Sequence, residues 1–162
     1  MDKIKIDFLN LSIELEKKQK QLKSYDDQSE QYTLILNSIS LLRENYIKLQ
    51  HKMVASSNIY KELNLLANKN IPRNDKPLIT SRHWELIVKE ITEIYPNMYL
   101  FINDICPNIS EQEWQYCCLS MMEFDSNAEA KLLNINTSSV RTKRLKKRKK
   151  LNLTLGSKET FC

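Results

Sequence analysis

A seven-residue repeat of apolar and aromatic side chains runs through the first 66 residues and restricts the fold more than any other feature. The repeat occupies Ile4, Leu11, Tyr25, Tyr32, Ile39, Tyr46, Met53 and Tyr60, and only Lys18 interrupts it. A companion series follows by four residues at first (Phe8, Leu15, Leu22) and by three residues later (Ile35, Leu42, Leu49). Alternating spacings of four and three are typical of coiled coils. They predict a coiled-coil dimerisation stalk over residues 1–66.

The apolar stripe of such a stalk needs a partner, because a single helix cannot bury it alone. We favour a second copy of the chain, in a parallel homodimer. The polar residues 23–30 interrupt the pattern shortly before the companion series changes its offset. An antiparallel hairpin within one chain, hinged at Asp26 and Asp27, is the alternative.

The rest of the sequence also favours helices, and we predict an all-α fold. Gly156 is the only glycine in the chain, whereas the tight turns of β-hairpins depend on glycine. Residues 67–80 contain two prolines and three asparagines, which oppose helix formation, so we predict a linker there. Residues 81–162 are then a small helical domain.

Local signals place the helices of this domain. Ser81 is the predicted cap of a helix that ends at Tyr95, because a proline follows and restricts its predecessor. A short helix is predicted over residues 98–105. Ser110 and Glu113 have the spacing of a capping box and open the next helix.

Cysteine and histidine usage indicates no metal or redox site. The four cysteines include no C-x-x-C pair, and His51 and His83 are isolated, whereas structural zinc needs about four suitably spaced ligands. Cys117 and Cys118 fall in a helical apolar pattern and are expected in the core, and His83 is expected on a helix surface. No paired carboxylates or phosphate loop stand out, so we expect neither a cofactor nor enzymatic activity.

Signals for export or membrane insertion are missing from the sequence. No apolar run reaches the roughly 18 residues that a membrane span needs. The N-terminus alternates charged and apolar residues, unlike a secretory signal. We therefore expect a cytoplasmic protein that does not bind membranes.

Positive charge is concentrated near the C-terminus. Residues 141–150 carry eight positive charges, and the chain without them has 17 basic and 20 acidic residues, a net charge of −3 against +5 for the whole. A patch of this density indicates a polyanionic partner. A solvated tail is the alternative.

The basic patch lies in a pattern of short helix, tight turn and second helix. The short helix ends near Leu133, and the turn is formed by residues 134–136, where asparagine tolerates left-handed backbone geometry. The last helix runs from about Thr137 to about Leu151. A second helix that begins with small, polar and basic residues is typical of a helix-turn-helix, whose second helix enters the DNA major groove. We therefore predict double-stranded DNA as the partner.

Several motifs extend over residues 81–153, and the stretch Ser-Ser-Asn-Ile-Tyr-Lys-Glu-Leu at 56–63 precedes them. They are Trp84 early in the first helix, the Tyr-Pro pair at 95–96, the Pro-Asn-Ile-Ser-Glu-Gln-Glu opening at 107–113, the cysteine pair and the Ile-x-x-x-Ser-Val-Arg start of the last helix. Together they resemble the LuxR-type (GerE-like) helix-turn-helix domain, in the variant at the C-terminus of Bacteroidetes regulators with tetratricopeptide repeats and a coiled coil. The resemblance implies a domain that binds DNA as a dimer.

The resemblance also assigns roles to the residues of the last helix. Base reading would fall to Ser138, Arg141 and Thr142. Phosphate contacts would come from its other polar and basic residues: Thr137, Ser139, Lys143, Arg144, Lys146, Arg148 and Lys149. The implied function is a transcription regulator that binds DNA as a coiled-coil dimer. A coiled-coil protein-interaction module with a degenerate helix-turn-helix domain is the alternative.

The packing positions of the last two helices follow the family with two departures. Val140 and Leu151 would face the core, and Leu145 would pack against the protein instead of touching DNA. Glu129 and Lys147 stand where the family usually has apolar residues, on two helices that pack on each other. We expect these opposite charges to form an ion pair. Alternatively, each turns to solvent, or Glu129 takes part in capping its own helix.

Overall fold

The computed structural model describes residues 3–70 and 76–155, with side chains up to residue 146. Within these ranges all eight secondary-structure elements are α-helices, as predicted. None of the helices described is long and apolar enough to cross a membrane. The chain divides into two compact units, Met1–Ser56 and Ser57–Cys162, and this boundary differs from the one predicted after residue 66.

The first unit is a helical hairpin. Helix α1 covers Lys3–Leu22, and helix α2 covers Glu30–Ser56. Phe8 near the start of α1 stacks on Tyr46 in the second half of α2, with ring centroids 4.7 Å apart. The helices therefore run antiparallel within one chain. The predicted parallel pairing is therefore wrong for this unit, and the alternative, an antiparallel hairpin hinged near Asp26 and Asp27, describes it.

Residues 23–29 reverse the chain through hydrogen bonds made by its polar side chains. The Asp26 carboxylate accepts from the Gln28 amide at 3.1 Å, and this bond holds the pKa of Asp26 below its usual 3.8. The Ser29 hydroxyl accepts from the Tyr32 amide at 3.1 Å and so caps the start of α2. These short-range bonds favour a turn over continued helix.

Each helix of the hairpin turns its own apolar stripe toward the other. Ile4, Phe8, Leu11 and Leu15 are half-buried on α1. On α2, Ile35 and Ile39 are buried. The companion series follows the heptad repeat by four residues in α1 and by three residues in α2. The offset can change because the two helices are separate and need not share one register.

The second unit contains the remaining six helices. They are α3 (Asn58–Asn68), α4 (Ser81–Ile94), α5 (Met98–Ile105), α6 (Glu111–Met121), α7 (Ser126–Leu133) and α8 (Thr137–Leu155). Its most buried side chains come from α3, α4, α6, α7, α8 and the residue that follows α6: Leu63, Ile87, Ile91, Ile94, Cys118, Leu119, Leu132, Val140 and Met122. These helices therefore share one apolar core.

Helix α3 belongs to this core, although its residues were predicted as the end of the stalk. Ser57 has an extended backbone, with φ −66° and ψ 146°, and its hydroxyl accepts from the Tyr60 amide to cap α3. Tyr60 stacks on Phe124 with centroids 4.9 Å apart, and Leu63 is fully buried. The heptad spacing could not reveal this change of partner, because the spacing is the same for either packing.

The end of the predicted linker is also packed on the domain. The amides of Leu78 and Ile79 both donate to the carbonyl of Leu132 in α7, at 3.0 and 3.2 Å. Thr80 caps α4, one residue before the predicted Ser81. The predicted helix over residues 98–105 and the capping box at Ser110 are confirmed.

His83 is not on the surface, and that prediction is wrong. The residue is 7% exposed. Its Nδ1 accepts from the Thr80 amide at 3.0 Å, so the ring proton lies on Nε2, which donates to Glu62 of α3 at 3.0 Å. Hydrogen bonds hold the pKa of the Glu62 carboxyl below its ordinary 4.5, and the bond from His83 has a larger effect than the bond from Arg82. These bonds join α3 to α4.

Candidate nucleic-acid interface

Helices α7 and α8 are joined by a tight three-residue turn, as predicted. Asp125 caps α7 by accepting from the Ala128 amide at 2.7 Å. Asn134 follows α7 in the left-handed conformation, with φ 55° and ψ 46°. The next amide, that of Ile135, donates back to the carbonyl of Ala130 at 3.0 Å, which is the closure of a Schellman motif. These bonds end α7 abruptly and fix the direction in which the chain continues toward α8.

The start of α8 is attached to the start of α7. The Thr137 hydroxyl donates to the Asn127 side chain at 3.2 Å, and the Asn136 carbonyl accepts from the amides of Ser139 and Val140. Val140 is 1% exposed, so its predicted core position is confirmed. One face of the first turn of α8 therefore packs against the rest of the second unit.

The opposite face of α8 carries the residues that we predicted to read bases. Ser138, Arg141 and Thr142 are all exposed, and their spacing places them on one side of the helix. The Thr142 hydroxyl donates to the Ser138 carbonyl at 2.9 Å, a bond that fixes its side chain on this face. Leu145 continues the face and is 52% exposed, so its predicted packing role is wrong.

Arg144 lies on the inner face of α8, four residues after Val140. The sequence predicts a phosphate contact for it, but its guanidinium is directed into the domain. It donates to the carboxylate of Glu129, to the carbonyl of Phe124 at 3.1 Å and to the Ser126 hydroxyl at 3.2 Å. The side chain therefore connects α8 to the beginning of α7.

Glu129 is buried, with 7% of its side chain exposed, and Arg144 is the cation that neutralises it. An ion pair at Glu129 therefore exists, but with a residue other than the predicted Lys147, whose side chain lies outside the described residues. The alternative in which Glu129 turns to solvent is wrong, and so is the one in which it caps its own helix, because Asp125 is the cap. The cation sits in a position that lowers the cost of burying the carboxylate.

Lys143 flanks the exposed face and packs against α6. Its ammonium lies 4.5 Å from the centroid of the Tyr116 ring and donates to the Tyr116 hydroxyl at 3.4 Å. Such cation–π contacts orient a lysine without removing its charge. Lys146 is exposed one turn later.

Most of the predicted DNA-contacting residues that the structure describes therefore lie on or beside the solvent-exposed face of α8. Ser138, Arg141 and Thr142 share a solvent face, Lys143 and Lys146 lie beside it, and the half-buried Thr137 and Ser139 lie at the helix start. The predicted contacts at Arg148 and Lys149, and the predicted core position of Leu151, lie outside the described side chains.

Sequence reasoning missed the inward orientation of Arg144, although a signal for it was present. Residues four apart lie on the same helix face, and Val140 was already placed in the core. Arg144 lies four residues after Val140, so it could have been predicted to face the protein. Its partner could have been predicted as Glu129, which stands where the family usually has an apolar residue.

Neither a metal site nor a similar known protein gives further information about the function of this interface. Across residues 3–70 and 76–155, no group of three or more His, Cys, Asp or Glu side chains could hold a metal ion. Comparison with known proteins finds no matching family model, no similar curated protein and no similar solved structure. The support for a function therefore comes from the residues of the chain itself.

Proposed function

We propose that this chain is a DNA-binding transcription regulator of the LuxR-like helix-turn-helix type, and that it acts as a homodimer. Helix α8 enters the major groove with Ser138, Arg141 and Thr142 toward the base edges. The observation that carries the proposal is the division of α8 into two faces. Val140 and Arg144 hold one face on the domain, while the other presents the polar and basic side chains of Ser138, Arg141 and Thr142 to solvent, together with Leu145.

The electrostatics of α8 support the same proposal. Residues 141–150 hold eight positive charges, whereas the rest of the chain is net negative. A polyanion is therefore attracted to this helix and repelled by the remainder of the surface. Since Arg144 is used inside the domain, phosphate binding falls mainly to the lysines beside the exposed face.

A second copy of the chain would cover the outer face of the hairpin. Ile6, Leu9 and Ile13 lie three and four residues apart on α1 and are 42%, 55% and 47% exposed. This spacing forms an apolar stripe separate from the stripe that faces α2. Pairing two hairpins into a four-helix bundle would bury it, and dimers are the usual form in which helix-turn-helix domains read two half-sites.

The test compares Arg141→Ala with Lys149→Ala on a preferred duplex and on a scrambled duplex of the same length, by fluorescence anisotropy. Arg141→Ala should weaken binding to the preferred duplex more than to the scrambled one, by about 1–3 kcal/mol. Lys149→Ala should weaken both equally. Lys89→Ala, an exposed lysine of α4, is the matched control. Equal losses on both duplexes for Arg141→Ala would contradict base reading.

A protein-interaction module is the second candidate function. Helix α5 exposes three consecutive large side chains, Tyr99, Leu100 and Phe101, which is more apolar surface than a DNA contact requires. If α8 serves only as a scaffold, no sequence preference should appear in the anisotropy experiment. A sequence preference that depends on Arg141 favours the regulator.

A further inference from the structure

A cavity of about 240 Å³ lies in the second unit, next to α5, α6 and α8. Its wall is largely apolar and is formed by Ile102, Cys106, Ile109, Cys117 and the ring of Tyr116. The cavity is larger than the roughly 150 Å³ that holds benzene in an engineered core. It is smaller than the roughly 300 Å³ at which drug-sized sites begin. A small organic molecule therefore matches it in size.

The border of the cavity is positively charged. Lys143 and Lys146 line it from α8 and are exposed. Two carboxylates also line it, but that of Glu129 is paired with Arg144. The other, on Glu113, accepts from the Ser110 amide at 2.9 Å in the capping box. The capping bond does not neutralise Glu113, so the described ionisable side chains of the lining, three cationic and two anionic, leave a net charge of +1 beside an apolar wall.

We propose that this cavity binds a small amphipathic carboxylate. The apolar body of the ligand lies against the wall, and its carboxylate is held by the ammonium groups of Lys143 and Lys146, because charge-assisted hydrogen bonds are the strong ones. The consequence of binding rests on the proposed function. Both lysines are predicted phosphate contacts, so the bound carboxylate competes with DNA and acts as a negative effector.

Decanoate is the test ligand, and 1-decanol is its uncharged control with the same chain length. Binding to the full-length protein is followed by tryptophan fluorescence. Trp84 makes an edge contact with Tyr116 of the cavity wall, at 5.8 Å between centroids. Decanoate should change the fluorescence saturably, and 1-decanol should bind about tenfold more weakly. Equal binding of the two would overturn the proposed carboxylate site.

Two variants locate the ligand. Lys146→Ala changes an exposed side chain, leaves the core intact, and should weaken decanoate about tenfold without changing 1-decanol. Lys131→Ala, an exposed lysine on α7 that does not line the cavity, is the matched control and should change neither. Cys117→Phe fills the cavity and should abolish both, with circular dichroism to verify its fold. Wild-type affinity in a folded Cys117→Phe would place the ligand elsewhere and overturn the site.

The competition with DNA is measured separately, so that the two proposals can fail separately. Saturating decanoate should raise the Kd of the wild-type protein for duplex DNA at least tenfold and should not affect Cys117→Phe. If decanoate binds as described and no duplex binds at all, the cavity site stands and the proposed function fails. If DNA binds and decanoate shows no saturable binding, the cavity site fails and the proposed function stands.

Discussion

Arg144 is the residue whose assignment differs most between the sequence and the structure. By type and position it belongs to the basic patch, yet its guanidinium joins Glu129, Ser126 and the Phe124 carbonyl. A buried carboxylate that has no cation costs several kcal/mol. The charge of Arg144 therefore stabilises the fold of the domain and fixes the position of α8 for any ligand of its outer face.

Replacement of Arg144 should accordingly affect stability before it affects binding. We expect Arg144→Leu to lower the free energy of unfolding by about 3 kcal/mol, because it leaves Glu129 buried without a cation. Arg141→Leu, on the exposed face, should stay within about 0.5 kcal/mol and serves as the control. Urea unfolding measures both.

The double variant Glu129→Ile with Arg144→Leu tests the coupling between the two residues. Removing both charges together should recover most of the stability that Arg144→Leu loses, since an apolar pair can replace a buried ion pair. Additive effects of the two substitutions would show that the pair is not coupled.

Glu62 gives the second unit a contribution to stability that depends on pH. Its carboxylate accepts from His83 and Arg82, at 3.0 Å each, and these bonds hold its pKa below the ordinary 4.5. Stability from this source is complete above the unfolded-state pKa and is lost as the pH falls through the lowered folded-state pKa.

The Tm difference between the wild type and Glu62→Gln should therefore be largest at about pH 6 and should shrink toward about pH 3. Glu93→Gln, on the same domain and exposed, controls for general charge effects. A difference between wild type and Glu62→Gln that stays constant over this range would contradict the ion-paired carboxylate.

At the scale of single elements, helix boundaries could be predicted closely and packing partners could not. Ser110, Asn134 and the helix over residues 98–105 are governed by contacts within a few positions, so the sequence specifies them locally. The burial of His83 and the docking of α3 depend on side chains that are distant in sequence. The heptad repeat predicts that α1 and α2 have apolar stripes, but it contains no information about which helix covers them.

The exposed stripe of α1 gives the prediction that belongs to this scale. We expect the full-length chain to be a dimer at micromolar concentration by light scattering, because Ile6, Leu9 and Ile13 would otherwise remain in water. Leu9→Lys should shift it toward monomer, since it places a charge in the contact. Glu14→Lys, at an exposed site on α1, should remain dimeric. A monomeric wild-type chain would contradict pairing through this stripe.

For the whole molecule, the two units divide the proposed work between them. In the proposed function, the hairpin would bring two copies together, and each second unit would present one α8 with a basic outer face. Two identical reading helices require a site with two related halves. The candidate interface could be located from the sequence because charge and turn signals coincide at residues 134–150. The inner role of Arg144 required the fold.

Random-site selection with the purified full-length protein tests this account most directly. Duplexes with a randomised centre are bound, recovered and sequenced, with Arg141→Ala carried through the same rounds. The account predicts an enriched motif of two related half-sites for the wild type and a relaxed motif at the corresponding positions for Arg141→Ala. Recovery of duplexes without any enriched motif, at a salt concentration where the protein still binds DNA, would contradict it.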